Sequence, residues 1–308
     1  MTSLYDLPAP AKLNLFLHVI GRRTDGYHLL QSVFVLIDWA DTLQIERRSD
    51  GLLQRHDLGP ALPPEDLCLK AARALQHESG CTLGADISIA KQVPWGAGLG
   101  GGSSDAATVL LALNRLWGLG WPRERLLALG ARLGADVPFF IGGQTAFVEG
   151  IGEKLSPIEL PAQRFVVVKP PVAIATQAIF SSPLLIRNSE AATLAGFLGD
   201  MQGAAKAGLQ HFGRNDLQSA AEAVCPEVSQ AARWLEARFG NSRMTGSGSA
   251  VFANMPGMTP NMWPGKDGAT DPSTAIKPEG DLLGDLPDGW VGRLCRSLQE
   301  HPLAGWAG

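Results

Sequence analysis

Within residues 12–20 the apolar side chains Leu13, Leu15, Leu17 and Val19 fall on every second position, and a second apolar run follows at 32–39. Period-two alternation sets one strand face against a core, and Thr24-Asp-Gly26 between the runs supplies a turn. The start of the chain therefore reads as a β-hairpin. Helical spacing takes over downstream, at 65–77, at 108–117 and at 122–133, where Pro122 stands in the first turn. Strands are expected at 85–91, 145–149, 164–169 and 251–254, and further helices near 175–180, 215–223 and 226–239. The last periodic segment, 290–301, has a helical pattern.

Residues 150–161 are rich in turn formers, which places a boundary between an N-terminal domain, 1–158, and a C-terminal domain, 159–308. Segment 255–289 carries Pro256, Pro260, Pro264, Pro272, Pro278 and Pro287 among many glycines and aspartates, so it is expected to be irregular.

The most distinctive stretch joins the 85–91 strand to the 108–117 helix: Pro94-Trp-Gly-Ala-Gly-Leu-Gly-Gly-Gly-Ser-Ser-Asp-Ala-Ala107. Gly98 and Gly100 to Gly102 permit positive φ and close approach to a ligand, and Ser103, Ser104 and Asp105 are candidate caps for the helix. Free N–H groups and the partial positive charge of a helix start favour an anion such as a triphosphate. A Walker A loop is excluded, because Gly102 stands where its lysine belongs. Gly96, Gly98 and Gly101 do fit G-x-G-x-x-G, but the chain reaches Gly118-Leu-Gly-Trp-Pro122 and another helix, without the second strand and acidic residue of a dinucleotide site. A Rossmann oxidoreductase is the weaker alternative.

Bulk properties narrow the picture little further. A formal charge of −4 and a pI near 5.9 give no footprint for nucleic acid, so a polyanionic partner should be small and locally bound. Cys68, Cys81, Cys225 and Cys295 are scattered with no C-x-x-C pair, which argues against zinc or a disulfide scaffold and fits a reducing cytoplasm. The N-terminal apolar run is interrupted by Asn14 and His18 and is too short to span a bilayer, so a soluble chain is expected.

Three short segments are candidates for chemistry beside the loop. Lys12 and Asn14 share one strand face, where a lysine is ordinarily solvated but here could neutralise phosphate charge. Tyr27 and His28 follow the hairpin turn, where an aromatic and a surface histidine need no function. Asp136, between Gly134 and Pro138, could cap a turn, or could orient and deprotonate an attacking hydroxyl.

Taken in order, Pro10-Ala-Lys-Leu-Asn-Leu15, the glycine block from Pro94 to Ala107 and Arg243-Met-Thr-Gly-Ser-Gly-Ser-Ala250 resemble the three signature motifs of the GHMP kinase superfamily. The resemblance spans about residues 8–254. Within the superfamily, Asp25-Gly-Tyr-His28 and Gly134-Ala-Asp-Val-Pro-Phe139 are similar to the branch that phosphorylates the 2-hydroxyl of a cytidine-diphosphate sugar alcohol, 4-diphosphocytidyl-2-C-methyl-D-erythritol, in the non-mevalonate route to isoprenoid precursors. The resemblance implies an α+β fold of two domains, an N-terminal ATP-binding domain and a C-terminal ferredoxin-like domain, with the substrate between them. It implies ATP as co-substrate with Mg²⁺.

By the same resemblance, Pro94, Trp95, Gly96, Ala97, Gly98, Leu99, Gly100, Gly101, Gly102, Ser103 and Ser104 would hold ATP, with Asp136 as base and Lys12 stabilising developing charge. Asn14 would fix the substrate, Tyr27 and Phe180 would stack on the cytosine and His28 would hydrogen-bond it, and Gly246, Ser247 and Gly248 would close the site beneath the phosphates. Asp66 stands where many relatives carry asparagine near the adenine, and 255–289 replaces a helix usual in the family.

Overall fold

The computed structural model describes residues 1–199, 213–255 and 282–307. The N-terminal hairpin is longer than its apolar runs suggest: β1 (Ser3–Arg22) and β2 (His28–Arg48) pair antiparallel along nearly their whole length. After β3 (Leu53–Asp57) and α1 (Leu67–Ser79) comes β4 (Gly84–Ala90), which lies parallel to β3 and antiparallel to β2. Helices α2 (Gly101–Leu116), α3 (Arg123–Leu133) and the single turn α4 (Val137–Gly142) cover one face of this sheet. Strands β5 (Ala146–Glu149) and β6 (Lys154–Pro157) add a short hairpin to β2.

The second half is built on β7 (Arg164–Lys169), with α5 (Thr176–Ser181), α6 (Gln218–Val224), α7 (Pro226–Phe239), β8 (Arg243–Met244), β9 (Val251–Asn254) and β10 (Val291–Leu298). Among the described residues the strands run in the order β3-β4-β2-β10-β7-β9-β8, so β10 joins the halves by pairing with both β7 and β2.

Strand β1 threads three apolar cores. Leu4, Leu7 and Ala9 pack with the α1–α4 layer, Ala11, Leu13 and Phe16 pack with Phe165, Val167 and Phe252 of the second half, and Leu17 and Val19 pack under α6 and α7. A flat strand cannot do this, because its side chains alternate strictly. The pairing register shifts between Pro10 and Ala11 and again between Asn14 and Leu17. Such irregularities re-aim side chains. The first turns Lys12 over the Phe34 ring, with Asn14 beside it, while Ala11 and Leu13 stay in the central core.

Several expectations are corrected. Residues 290–301 contain the strand β10 in place of a helix: six consecutive pairs with β7 satisfy its backbone in the middle of the sheet, and that tertiary pairing outweighs the local spacing. Helix α2 starts at Gly101, seven residues before 108, with Gly100 as its N-cap at φ 73° and no side-chain cap. Ser103, Ser104 and Asp105 therefore lie inside the helix and cap nothing. Three short strands, β3, β6 and β8, have no counterpart in the apolar pattern. Of the 255–289 segment, residues 256–281 lie outside those described.

Candidate active site

The loop between β4 and α2 forms the wall between two cavities. On one side lies a cavity of about 710 Å³ bounded by Lys12, Asn14, His28, Asp136, Phe180 and Ser247. On the other lies one of about 360 Å³ bounded by Asp66, Cys68, Lys91, Trp95 and Asp105. Gly96, Gly98, Gly100 and Ser103 face both.

The loop is held from beneath by the turn that follows β8. Gly98 has φ 74°, and a Cβ there would lie 2.1 Å from the Thr245 carbonyl oxygen; a Cβ on Gly248 would lie 1.9 Å from the Gly98 nitrogen. The two backbones touch, and only glycine allows it. The Ala250 N–H donates to the Ala97 carbonyl at 3.2 Å, and the Lys12 N–H donates to the Leu99 carbonyl at 2.9 Å. All three sequence blocks are thereby locked around one loop.

In the larger cavity the Lys12 ammonium is almost fully buried. It donates to Asn14 Oδ1 at 2.6 Å, sits 3.5 Å from Asp136 Oδ2 and lies 4.4 Å from the Phe34 ring centroid. Asn14 is fixed in turn, since its Nδ2 donates to Ser32 Oγ at 3.0 Å and its own N–H donates to Thr245 Oγ1 at 3.0 Å. Asp136 stands at the N-cap position of α4, yet its side chain makes no capping bond and remains 30% exposed. The other end of α4 is clamped: the Arg123 guanidinium donates to the Ile141, Gly142, Ala304 and Ala307 carbonyls. A carboxylate on a rigid turn, open to the cavity and beside a buried cation, suits abstraction of a proton from an acceptor hydroxyl.

The far end of this cavity is aromatic. The Phe180 ring stacks on His28, with centroids 5.1 Å apart and planes 27° apart, and Tyr27 is exposed at the rim. Burial pushes the His28 imidazole below its usual value, helped by the Arg187 and Arg22 guanidiniums. It is thus neutral near pH 7, and its buried Nε2 has no hydrogen-bond partner. Thr176 and Ser247 hydroxyls meet at 2.8 Å on the opposite wall. Of the expected acceptor-side residues, Lys12, Asn14, Tyr27, His28, Asp136, Phe180, Gly246, Ser247 and Gly248 all line this one cavity.

Across the loop, Pro94 to Ser103 line the smaller cavity, whereas Ser104 is fully buried and borders neither. Asp66 caps α1 by accepting the Leu69 N–H at 3.0 Å and pairs with Arg55 at 3.1 Å. Lys91, Asp41 and Asp105, absent from the expected set, form a buried ion cluster under the loop. Lys91 Nζ bonds Asp105 Oδ2 at 2.5 Å and also Asp41, whose Oδ1 receives the Gln92 and Val93 N–H groups at 2.5 and 2.8 Å.

A loop that presents backbone N–H groups at a helix start, with an acid and a lysine across from it, is the arrangement of a small-molecule kinase. Residues 66–144 match the GHMP kinases N terminal domain and residues 194–255 match the GHMP kinases C terminal region. The chain is 62% identical to the 4-diphosphocytidyl-2-C-methyl-D-erythritol kinase of Methylibium petroleiphilum, with 100% of this chain and 99% of that one covered. The chain belongs to the GHMP kinase family.

The corresponding enzyme of Paracidovorax citrulli is 56% identical over 100% of this chain and 99% of its own. Among solved structures, this GHMP kinase is similar to a 4-(cytidine 5'-diphospho)-2C-methyl-D-erythritol kinase at 37% identity and a TM-score of 0.69, covering 80% of this chain and 88% of the other. A mevalonate kinase at 13% identity shares the fold with a TM-score of 0.63, covering 96% of this chain and 99% of that one. The family's co-substrate is ATP. The antiparallel sheet, with β3 and β4 as its one ladder of parallel strands among the described residues, removes the Rossmann alternative. Among the described residues no helix is long and apolar enough to cross a membrane.

Proposed function

We propose that this GHMP kinase transfers the γ-phosphoryl group of ATP to the 2-hydroxyl of 4-diphosphocytidyl-2-C-methyl-D-erythritol, in the non-mevalonate supply of isoprenoid precursors and in the cytoplasm. The observation that carries this reading is the larger cavity, which has the Lys12–Asp136 pair beside the glycine loop at one end and the His28–Phe180 stack at the other. Its close relatives bear the name of that kinase.

In this reading ATP lies on the Pro94–Ser103 loop, with its adenine in the smaller cavity and its phosphates on the N–H groups that open α2. The acceptor's cytosine meets His28, Phe180 and Tyr27, and its polyol meets Asn14, Lys12 and Asp136. Asp136 takes the hydroxyl proton as the oxygen attacks the γ-phosphorus. The bond from phosphorus to the β,γ-bridging oxygen breaks, and ADP leaves with that electron pair. Lys12 stabilises charge on the attacking oxygen and the transferred group. Ser104 lies behind the loop, fully buried and with its Oγ unpartnered among the described residues.

Mg²⁺ accompanies ATP in such reactions and would offset triphosphate charge. Among the described residues no three His, Cys, Asp or Glu side chains gather to hold a metal. The described residues thus supply no cage for the ion, which would arrive on the phosphates.

The test is ADP release with three acceptors in parallel: the cytidine-diphosphate sugar alcohol, homoserine and mevalonate. ADP should appear with the first alone. Turnover of either other alcohol without the first overturns the assignment.

A further inference from the structure

The buried ion cluster beneath the glycine loop ties together the three elements that surround it. Asp41 lies on β2, Lys91 directly follows β4, and Asp105 is in the first turns of α2. Asp41 and Asp105 are at most 4% exposed and Lys91 is 17% exposed. Lys91 and Asp105 border the smaller cavity, so the cluster is next to any nucleotide on the loop. A Cβ on Gly101, the first residue of α2, would lie 3.4 Å from Asp41 Oδ2.

The cluster does not balance in charge. One ammonium faces two carboxylates, and the donors are shared unequally: Asp41 receives Lys91 and two backbone N–H groups, whereas Asp105 receives Lys91 alone and its Oδ1 has no partner. Two carboxyl groups this close to one buried lysine are stable together when one of them holds a proton. A triphosphate arriving on the same loop adds negative charge and strengthens that requirement.

We propose that Asp41, Lys91 and Asp105 form a positioning triad for the phosphate loop, and that the loop binds ATP with Asp105 in its neutral, protonated form. Lys91 is consumed by the triad and is not a free phosphate ligand. The proposal rests on the nucleotide half of the function above and is independent of the acceptor's identity.

The surroundings agree. Burial raises the Asp105 carboxyl to about 8, with Asp41 acting in the same direction and Lys91 opposing. Cys68 on α1 faces the same spot, and burial holds its thiol well above its usual value, so it adds no charge. Asp66 is tied to Arg55, while Glu65 and Lys70 stand at the cavity rim.

Binding of ATP at fixed Mg²⁺, without acceptor, tests this, with the fluorescence of exposed Trp95 or calorimetry as readout. If only the protonated form binds, the wild-type Kd should weaken about tenfold from pH 7 to pH 9, given a carboxyl near 8. Calorimetry at pH 9 should show uptake of about one proton per ATP bound. Asp105→Asn keeps the neutral shape, so its Kd should match wild type at pH 7 and lose that slope relative to wild type. Using both proteins cancels the ionisation of ATP itself. A variant that keeps the wild-type slope, or one that remains folded but loses ATP at pH 7, overturns the proposal. Asp105→Leu gives the complementary check: if it folds, KM for ATP should rise while KM for the acceptor stays, and equal change in both overturns the positioning role. Wild-type protein that binds no ATP would instead overturn the nucleotide half of the function.

Discussion

The two cavities share a wall but treat their polar groups in opposite ways. In the acceptor cavity the functional atoms are left available: Asp136 caps nothing and is part-exposed, and His28 Nε2 is buried without a partner. In the nucleotide cavity the charged side chains are tied to one another, Asp66 by Arg55 and the Leu69 N–H, and Lys91 by Asp41 and Asp105, which leaves Asp105 Oδ1 beneath the loop as the unpartnered atom of the cluster. A buried polar group without a partner costs stability, so it persists where a ligand completes it. The acceptor side thus carries recognition and proton transfer in side chains. The nucleotide side uses its side chains to hold a backbone that does the binding.

That contrast is broken most directly at Asp136. If the acceptor side carries the chemistry, Asp136→Asn should lower kcat by roughly 10²- to 10⁴-fold, the usual worth of a positioned general base. ATP affinity should hardly move, because Asp136 borders only the larger cavity. Steady-state kinetics with an independent ATP titration checks both. A kcat within a few-fold of wild type would remove Asp136 from the chemistry.

A smaller effect is expected at His28, the recognition end of the same cavity. Replacing it by alanine removes one hydrogen bond and the Phe180 stack, so the acceptor KM should rise about 3- to 10-fold, from roughly 0.5–1.5 kcal/mol, with the ATP KM unchanged. Parallel KM measurements for the two substrates read this out. An increase in the ATP KM of the same size would place His28 on the wrong side of the wall.

The difference between the cavities also decides what the sequence could reveal. Lys12 and Asn14 are two residues apart on one strand, the glycine loop is contiguous, and Asp136 sits in a short motif, so the acceptor chemistry is legible in local pattern. The triad is not, because Asp41, Lys91 and Asp105 come from separate elements that only the β2–β4 pairing and the packing of α2 bring together. The same holds for β10. Its residues space like a helix, and only the vacant edges of β7 and β2 make them a strand. The early start of α2 has a local cause: glycines at 100, 101 and 102 read as loop, yet Gly100 takes the left-handed N-cap and the next two enter the helix. Fold class was readable because three motifs together identify the family, whereas irregularities that aim Lys12, such as the register shift at Pro10, leave no mark in composition.

The mildest test falls at Asp66, where the nucleotide side should tolerate change. Its carboxylate performs two structural tasks, capping α1 and pairing with Arg55, and asparagine caps a helix as well as aspartate does. Arg55 keeps Asp57, at 2.7 Å, and the carbonyls of Leu62 and Pro63, so it is not stranded when the Asp66 charge is removed. Asp66→Asn should therefore shift unfolding stability by less than about 1 kcal/mol, while Asp66→Ala, which loses the cap, should cost about 1–2 kcal/mol. Chemical denaturation of the two variants measures the difference. ATP affinity serves as the second readout: if Asp66→Asn changes it by more than a few-fold in either direction, the carboxylate reaches the nucleotide, and the division between a side-chain cavity and a backbone cavity fails at its rim.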